Sequence, residues 1–123
     1  PGGHMNAKQL SAMLDTIPLE ITFIDKDDIN RYFNRTHGKK LFKRPDAAID
    51  REVYFCHPAK IEPMVRGIID DFRAGRRDSV DVWMNKNDKP VLVRYMAVYS
   101  DDNEFQGTME IVQNMEFAEK HFV

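Results

Sequence analysis

The sequence predicts an α+β fold: strands and helices in the order ββ-helices-βββ, with an amphipathic helix ahead of them. Three observations carry this. Two short apolar runs flank an acidic turn at residues 25–28, one helical stripe runs over residues 61–72, and three alternating segments fill the C-terminal third. Apolar residues recurring every three to four positions mark a helix, and every second position a half-buried strand.

Length and charge set the outer limits. A chain of 123 residues, 42% hydrophobic and 31% charged, is expected to form one domain around one modest core. A net charge of -2 gives no general attraction to nucleic acid. No apolar run approaches the roughly 20 residues needed to cross a bilayer, so no membrane span is expected. Nothing resembles a secretory signal. The single cysteine, Cys56, leaves no internal disulfide and fits a reducing, cytoplasmic setting. Residues 1–5 read as a cloning remnant, which removes His4 from the functional argument. Residues 6–18 are then a flanking helix, 19–114 the main domain, and 115–123 a tail, read as a truncated linker too short to hold a helix alone.

The elements follow in order. Leu10, Met13, Leu14 and Ile17 form one helical stripe, with Asn6 as cap and Gln9 in the reciprocal position. Pro18 closes it. The stripe either packs on its own domain or meets a second copy, making these four residues the expected dimer contact. The acidic turn at 25–28 suits aspartate, whose side chain bonds local backbone. Residues 34–50 lack a clean period, with Phe42 and Ile49 as expected core anchors. Ile61, Met64, Val65, Ile68 and Phe72 share a helical face, and Gly75 sits at the C-cap. Val80, Val82 and Met84 then alternate with polar residues. Beyond a turn at 86–89, Val91, Val93, Tyr95, Ala97 and Tyr99 oppose Leu92, Arg94, Met96 and Val98. After a turn at 100–104, Phe105, Gly107, Met109 and Ile111 alternate with Gln106, Thr108, Glu110 and Val112.

Several segments carry a family resemblance. They are the 25–29 turn, Tyr32-Phe33-Asn34, Leu41-Phe42-Lys43-Arg44-Pro45 leading to Ile49, Cys56-His57-Pro58 before the long helix, and residues 107–113. In this order and spacing they resemble a PAS domain over residues 19–114, which implies a single five-stranded antiparallel sheet with the helices on one face. Cys56-His57-Pro58 and Arg94-Tyr95 look most like the PAS modules found beside hemerythrin-like domains in bacterial proteins. Two places depart from the family pattern. Asp50 stands where many members have glycine, and Asn114-Met115-Glu116 stands where many have an Asp-x-Thr signature that couples the sheet to an output helix.

The resemblance implies a non-enzymatic sensory and signalling module of a bacterial protein, working through the space between sheet and long helix. Members bind haem, flavins or small metabolites there, so the fold alone selects no ligand. The expected lining is Phe23, Tyr32, Phe33, His57, Met64, Ile68, Val82, Tyr95, Met109 and Ile111, which either borders a pocket or fills a core. His57 either caps the helix or serves as a haem ligand, with haem placed ahead of flavin. No multi-ligand metal site is expected. Cys56 and His57 are adjacent with no third orienting group, so no catalytic pair is expected from them. His37 is expected to be solvated. Arg94, on an otherwise apolar face, needs an anionic partner such as Glu110. Leu92, Met96, Val98 and Val112 are expected on the outer sheet face, covered by the N-terminal helix or a partner chain. The expected partners are a second copy and an attached signalling or hemerythrin-like domain. An interaction-only dimerisation module with a filled core is the alternative.

Overall fold

A reciprocal cap decides where the first helix begins. The Asn6 side chain accepts from the Gln9 amide at 2.8 Å, and the Gln9 side chain accepts from the Asn6 amide at 3.1 Å. This opens α1 (Ala7–Thr16), none of whose residues is buried. The computed structural model describes residues 1–36, 41–42, 45–56 and 59–122, without the side chains of Phe55 and Cys56.

Strands β1 (Glu20–Asp25) and β2 (Asn30–Phe33) form the N-terminal hairpin. Asp25 organises its turn: one carboxylate oxygen accepts from the amides of Asp27 and Ile29, the other from Arg31 Nε at 2.7 Å. Burial alone would push this carboxyl up, but the Arg31 and amide bonds together hold it below its ordinary value. Two 3₁₀ turns, Asp46–Ala48 and Val53–Cys56, lead to α2 (Glu62–Arg73). Pro63 sits in the first turn of α2, where a missing amide hydrogen costs little, and Gly75 follows its end at φ 74°. The meander is β3 (Ser79–Lys86), β4 (Lys89–Tyr99) and β5 (Phe105–Asn114). Asn87 and Asp88, both at positive φ, supply the tight turn that matches the twist of β3 and β4.

All five strands join one antiparallel sheet in the order β2-β1-β5-β4-β3. The first and last strands of the chain's two sheet blocks therefore lie side by side. Helix α2 covers one face, here called inner, through Val65, Ile68, Ile69 and Phe72. These divide into two apolar clusters. Ile68 and Phe72 meet Val91, Val93, Tyr95 and Val112, with Leu41 and Phe42 packed alongside, while Val65 and Ile69 meet Ile24, Val53 and Tyr54. Polar bonds hold the far end of α2. Arg73 pairs with Asp28, which also accepts from the Tyr54 hydroxyl at 3.2 Å, and the Tyr99 hydroxyl donates to the Phe72 carbonyl at 3.1 Å. No helix among the described residues is long and apolar enough to cross a membrane.

Three expectations change. The tail does form a helix, α3 (Glu116–His121), because its start is docked. The Met115 amide donates to the Pro90 carbonyl at 2.8 Å, and Lys89 pairs with Glu116 at 2.9 Å. The second change is at Phe105, which a pairing irregularity beside Val98 brings against the inner core, off the face it was expected to share with Gly107. The third is the parity of β5. Val112 faces α2 and not the outer surface, and with it face Glu110 and Thr108. A side chain at Gly107 would run into the Ile24 carbonyl, which fixes glycine where β5 crosses β1.

Asn34, fully buried, ties α1 to the sheet. Its Oδ1 accepts from the Ile21 amide, and its Nδ2 donates to the carbonyls of Leu14 and Leu19, each at 2.8 Å. Asn34→Ala leaves three backbone groups without this partner, and a loss of about 3 kcal/mol is expected in urea unfolding. Asn34→Asp should behave similarly, since a carboxylate cannot supply the two donated bonds.

Candidate functional site

Strand pairing lays the inner face out in rows beneath α2. One row runs Phe33, Thr22, Glu110, Tyr95, Val80 across β2, β1, β5, β4 and β3. The row on one side runs Glu20, Val112, Val93, Val82; on the other it runs Asn30, Ile24, Thr108, Ala97. Thr22, Thr108 and Glu110 are all buried, Thr108 at 1% and Glu110 at 5% exposure. Polar side chains thus occupy the centre of the wall that α2 covers, at the seam of the two apolar clusters. Buried hydroxyls and carboxyls cost stability unless bonded. The Thr108 hydroxyl has no hydrogen-bond partner among the described residues. At the edge, Glu20 accepts from the amides of Leu41 at 3.0 Å and Phe42 at 3.2 Å, and Lys86 lies 4.6 Å from the Phe42 ring.

The expected lining divides. Phe33, Ile68, Val82 and Tyr95 lie on the inner side, Ile68 on α2 and the others on the sheet. Phe23, Tyr32, Met109 and Ile111 do not. Phe23 pairs with both Tyr32 and Met109, Ile111 pairs with Arg94, and all of them point away from α2. The reason is strict alternation: Glu110 and Thr22 face inward, so their neighbours face outward. Met64 is also displaced, 44% exposed, because the buried stripe of α2 runs through Val65, Ile68, Ile69 and Phe72. His57 lies outside the described residues, as do His37 and the side chain of Cys56. Arg94 finds its partner across the strand pair in Asp81, at 3.0 Å, and not in Glu110 on the opposite face.

Beneath the end of α1 the outer face holds a second buried hydroxyl. Tyr32 Oη has no partner among the described residues, and burial together with nearby Asp15 pushes its pKa up. In α1 itself Leu10 and Met13 remain exposed, at 44% and 45%, whereas Leu14 and Ile17 are half-buried.

The α2 segment itself contains no histidine, and the expected haem ligand, His57, is not among the described residues.

A family model described as PAS domain matches residues 10–116. The chain belongs to the PAS domain family. Its sheet order, α2 and the α1 lead-in are this PAS domain's version of the fold. A C-terminal domain from Streptococcus mutans is similar at 34% identity, covering 98% of this chain and 93% of that one, with a TM-score of 0.92. A sensory box sensor histidine kinase from Vibrio cholerae shares the fold at 12% identity, covering 85% and 88%, with a TM-score of 0.60. The Vibrio cholerae VqmA dimer shares it at 18% identity and a TM-score of 0.66, covering 94% of this chain. This PAS domain spans about half of VqmA, 53%. No curated protein matches.

Thr22, Thr108 and Glu110 escaped the sequence reading, which assigned the apolar set of β5 to the core. One signal was available: Thr22 has the parity of Ile24, and Ile24 is nearly inaccessible. Thr108→Val replaces a buried hydroxyl that has no partner among the described residues by a methyl of similar shape. It is expected to stabilise the free protein by about 1 kcal/mol in thermal unfolding; a loss of that size would mean the hydroxyl is bonded.

Proposed function

We propose that this PAS domain is a non-enzymatic sensory module that binds a small ligand between α2 and the inner sheet face, and that it dimerises through α1. One observation carries the ligand reading: the row Thr22, Glu110, Tyr95 is buried at the centre of the helix-sheet wall, and the Thr108 hydroxyl beside it has no partner among the described residues. Polar groups converging among apolar walls are what a small-molecule site requires. A ligand favouring one arrangement of α2 on the sheet would shift the population seen by an attached domain.

Supporting the dimer, Leu10 and Met13 keep an apolar stripe open on α1 while Asn34 anchors the helix end. A VqmA structure is described as bound to DPO and another as a ligand–DNA complex, and VqmA is described as a dimer. We extend the proposal to a cytoplasmic, bacterial signalling protein carrying a hemerythrin-like domain, on the resemblance of Cys56-His57-Pro58 and Arg94-Tyr95. The second reading is an interaction-only module, favoured by the complete burial of the α2 stripe.

Native mass spectrometry of protein purified without denaturation separates the two: a retained small mass supports the ligand reading, and its absence at every purification favours the interaction-only module. For the dimer, Met13→Asp changes an exposed position and should leave folding intact. Sedimentation is expected to shift toward the monomer; an unchanged dimer would remove α1 from the contact.

A further inference from the structure

We infer that the β3 edge of the sheet is a pairing surface for a second copy of this chain, strand against strand in antiparallel register. This contact is separate from the one on α1 and does not depend on the ligand reading. Strand β3 ends the sheet on the side opposite β2. It runs along β4 from Ser79 to Lys86 without a bulge. The β2 edge differs, because the backbone of Asn30 bonds there with that of Asp50 and Arg51. A long, regular edge with no such cover is a template for another strand.

One bond shows which groups face outward. The Ala97 amide donates to the Asp78 carbonyl at 2.9 Å, which makes Asp78 and Ala97 a hydrogen-bonded pair of the ladder. Alternation then gives β4 the backbone groups of Val80, Val82, Met84 and Lys86. Those of Ser79, Asp81, Trp83 and Asn85 are directed to the edge, with no backbone partner there among the described residues.

A register that joins these groups and uses the whole strand has its two-fold axis at Val82. It sets Val82 against its own copy and Val80 against the second copy's Met84, so the inner face gains apolar pairs. All three side chains are half-buried at this margin. The charges are complementary as well. Asp78, which is exposed, meets the second copy's Lys86, and the symmetry repeats the pair at the other end. On the outer face Trp83, 66% exposed, lies opposite the second copy's Asp81, an acceptor for its indole N–H. Moving the axis to Asp81 would oppose like charges, and moving it to Trp83 would set Lys86 against Val80. The sequence of β3 thus matches itself in one register.

Amide hydrogen exchange across a concentration series tests the pairing, in Met13→Asp protein so that α1 makes no contribution. Raising the protein from about 0.05 mM to about 1 mM, a range suited to weak association, is expected to slow exchange at Asp81, Trp83 and Asn85. Val80, Val82 and Met84, already bonded to β4, should not change. In sedimentation, Trp83→Asp opposes like charges twice by symmetry and should weaken the association about tenfold; Trp83→Lys, facing Asp81, should stay within about twofold. Equal losses from the two would overturn the register. Should either variant fail to fold, the exchange series decides alone. Edge amides that exchange freely at both concentrations would overturn the pairing and leave the edge to a foreign extended segment. Protection independent of concentration would overturn it too, with this chain's own residues as the cover.

Discussion

Strand β5 turns Thr108, Glu110 and Val112 toward α2, and because side chains alternate, it must turn Gly107, Met109 and Ile111 outward. Everything around it adjusts to that choice. Pairing with β1 places Thr22 beside Glu110 and Ile24 beside Thr108, and pairing with β4 places Tyr95 and Ala97 in the same rows. The apolar residues left outside then give the sheet a second surface with hydrophobic character, which explains why Leu92 is buried there and why α1 has something to lie against at Tyr32. A one-residue slip of β5 would exchange the two faces completely.

Most of the architecture was legible because it rests on local chemistry. Asn6 and Gln9 announced the first helix, the aspartates of the hairpin turn announced the reversal, and Gly75 announced the end of α2. The meander followed from alternation alone. What alternation could not supply was which face of β5 looked inward, since both faces of a central strand can be covered. The ordinary rule sends Met109 and Ile111 to the core; here the opposite set is chosen, and the polar wall results. Local rules tend to fail where function or strain has a prior claim on the residues.

Long-range polar contacts were equally hidden. Nothing in the order of residues says that Asp28 will receive both Tyr54 and Arg73, or that Glu20 will hold the amides of Leu41 and Phe42. These bonds join segments more than twenty positions apart, and they stitch the open ends of the α2 layer to the sheet. Arg94 shows the same lesson in reverse: a charge on an apolar face suggested a distant partner, and the cross-strand neighbour Asp81 sufficed.

One amide side chain reaches three backbone segments at once. Asn34, at the exit of β2, grips the start of β1, the linker carbonyl at Leu19 and the last turn of α1. Strand start, linker and helix turn therefore depend on one carboxamide, so its removal would release all three segments together.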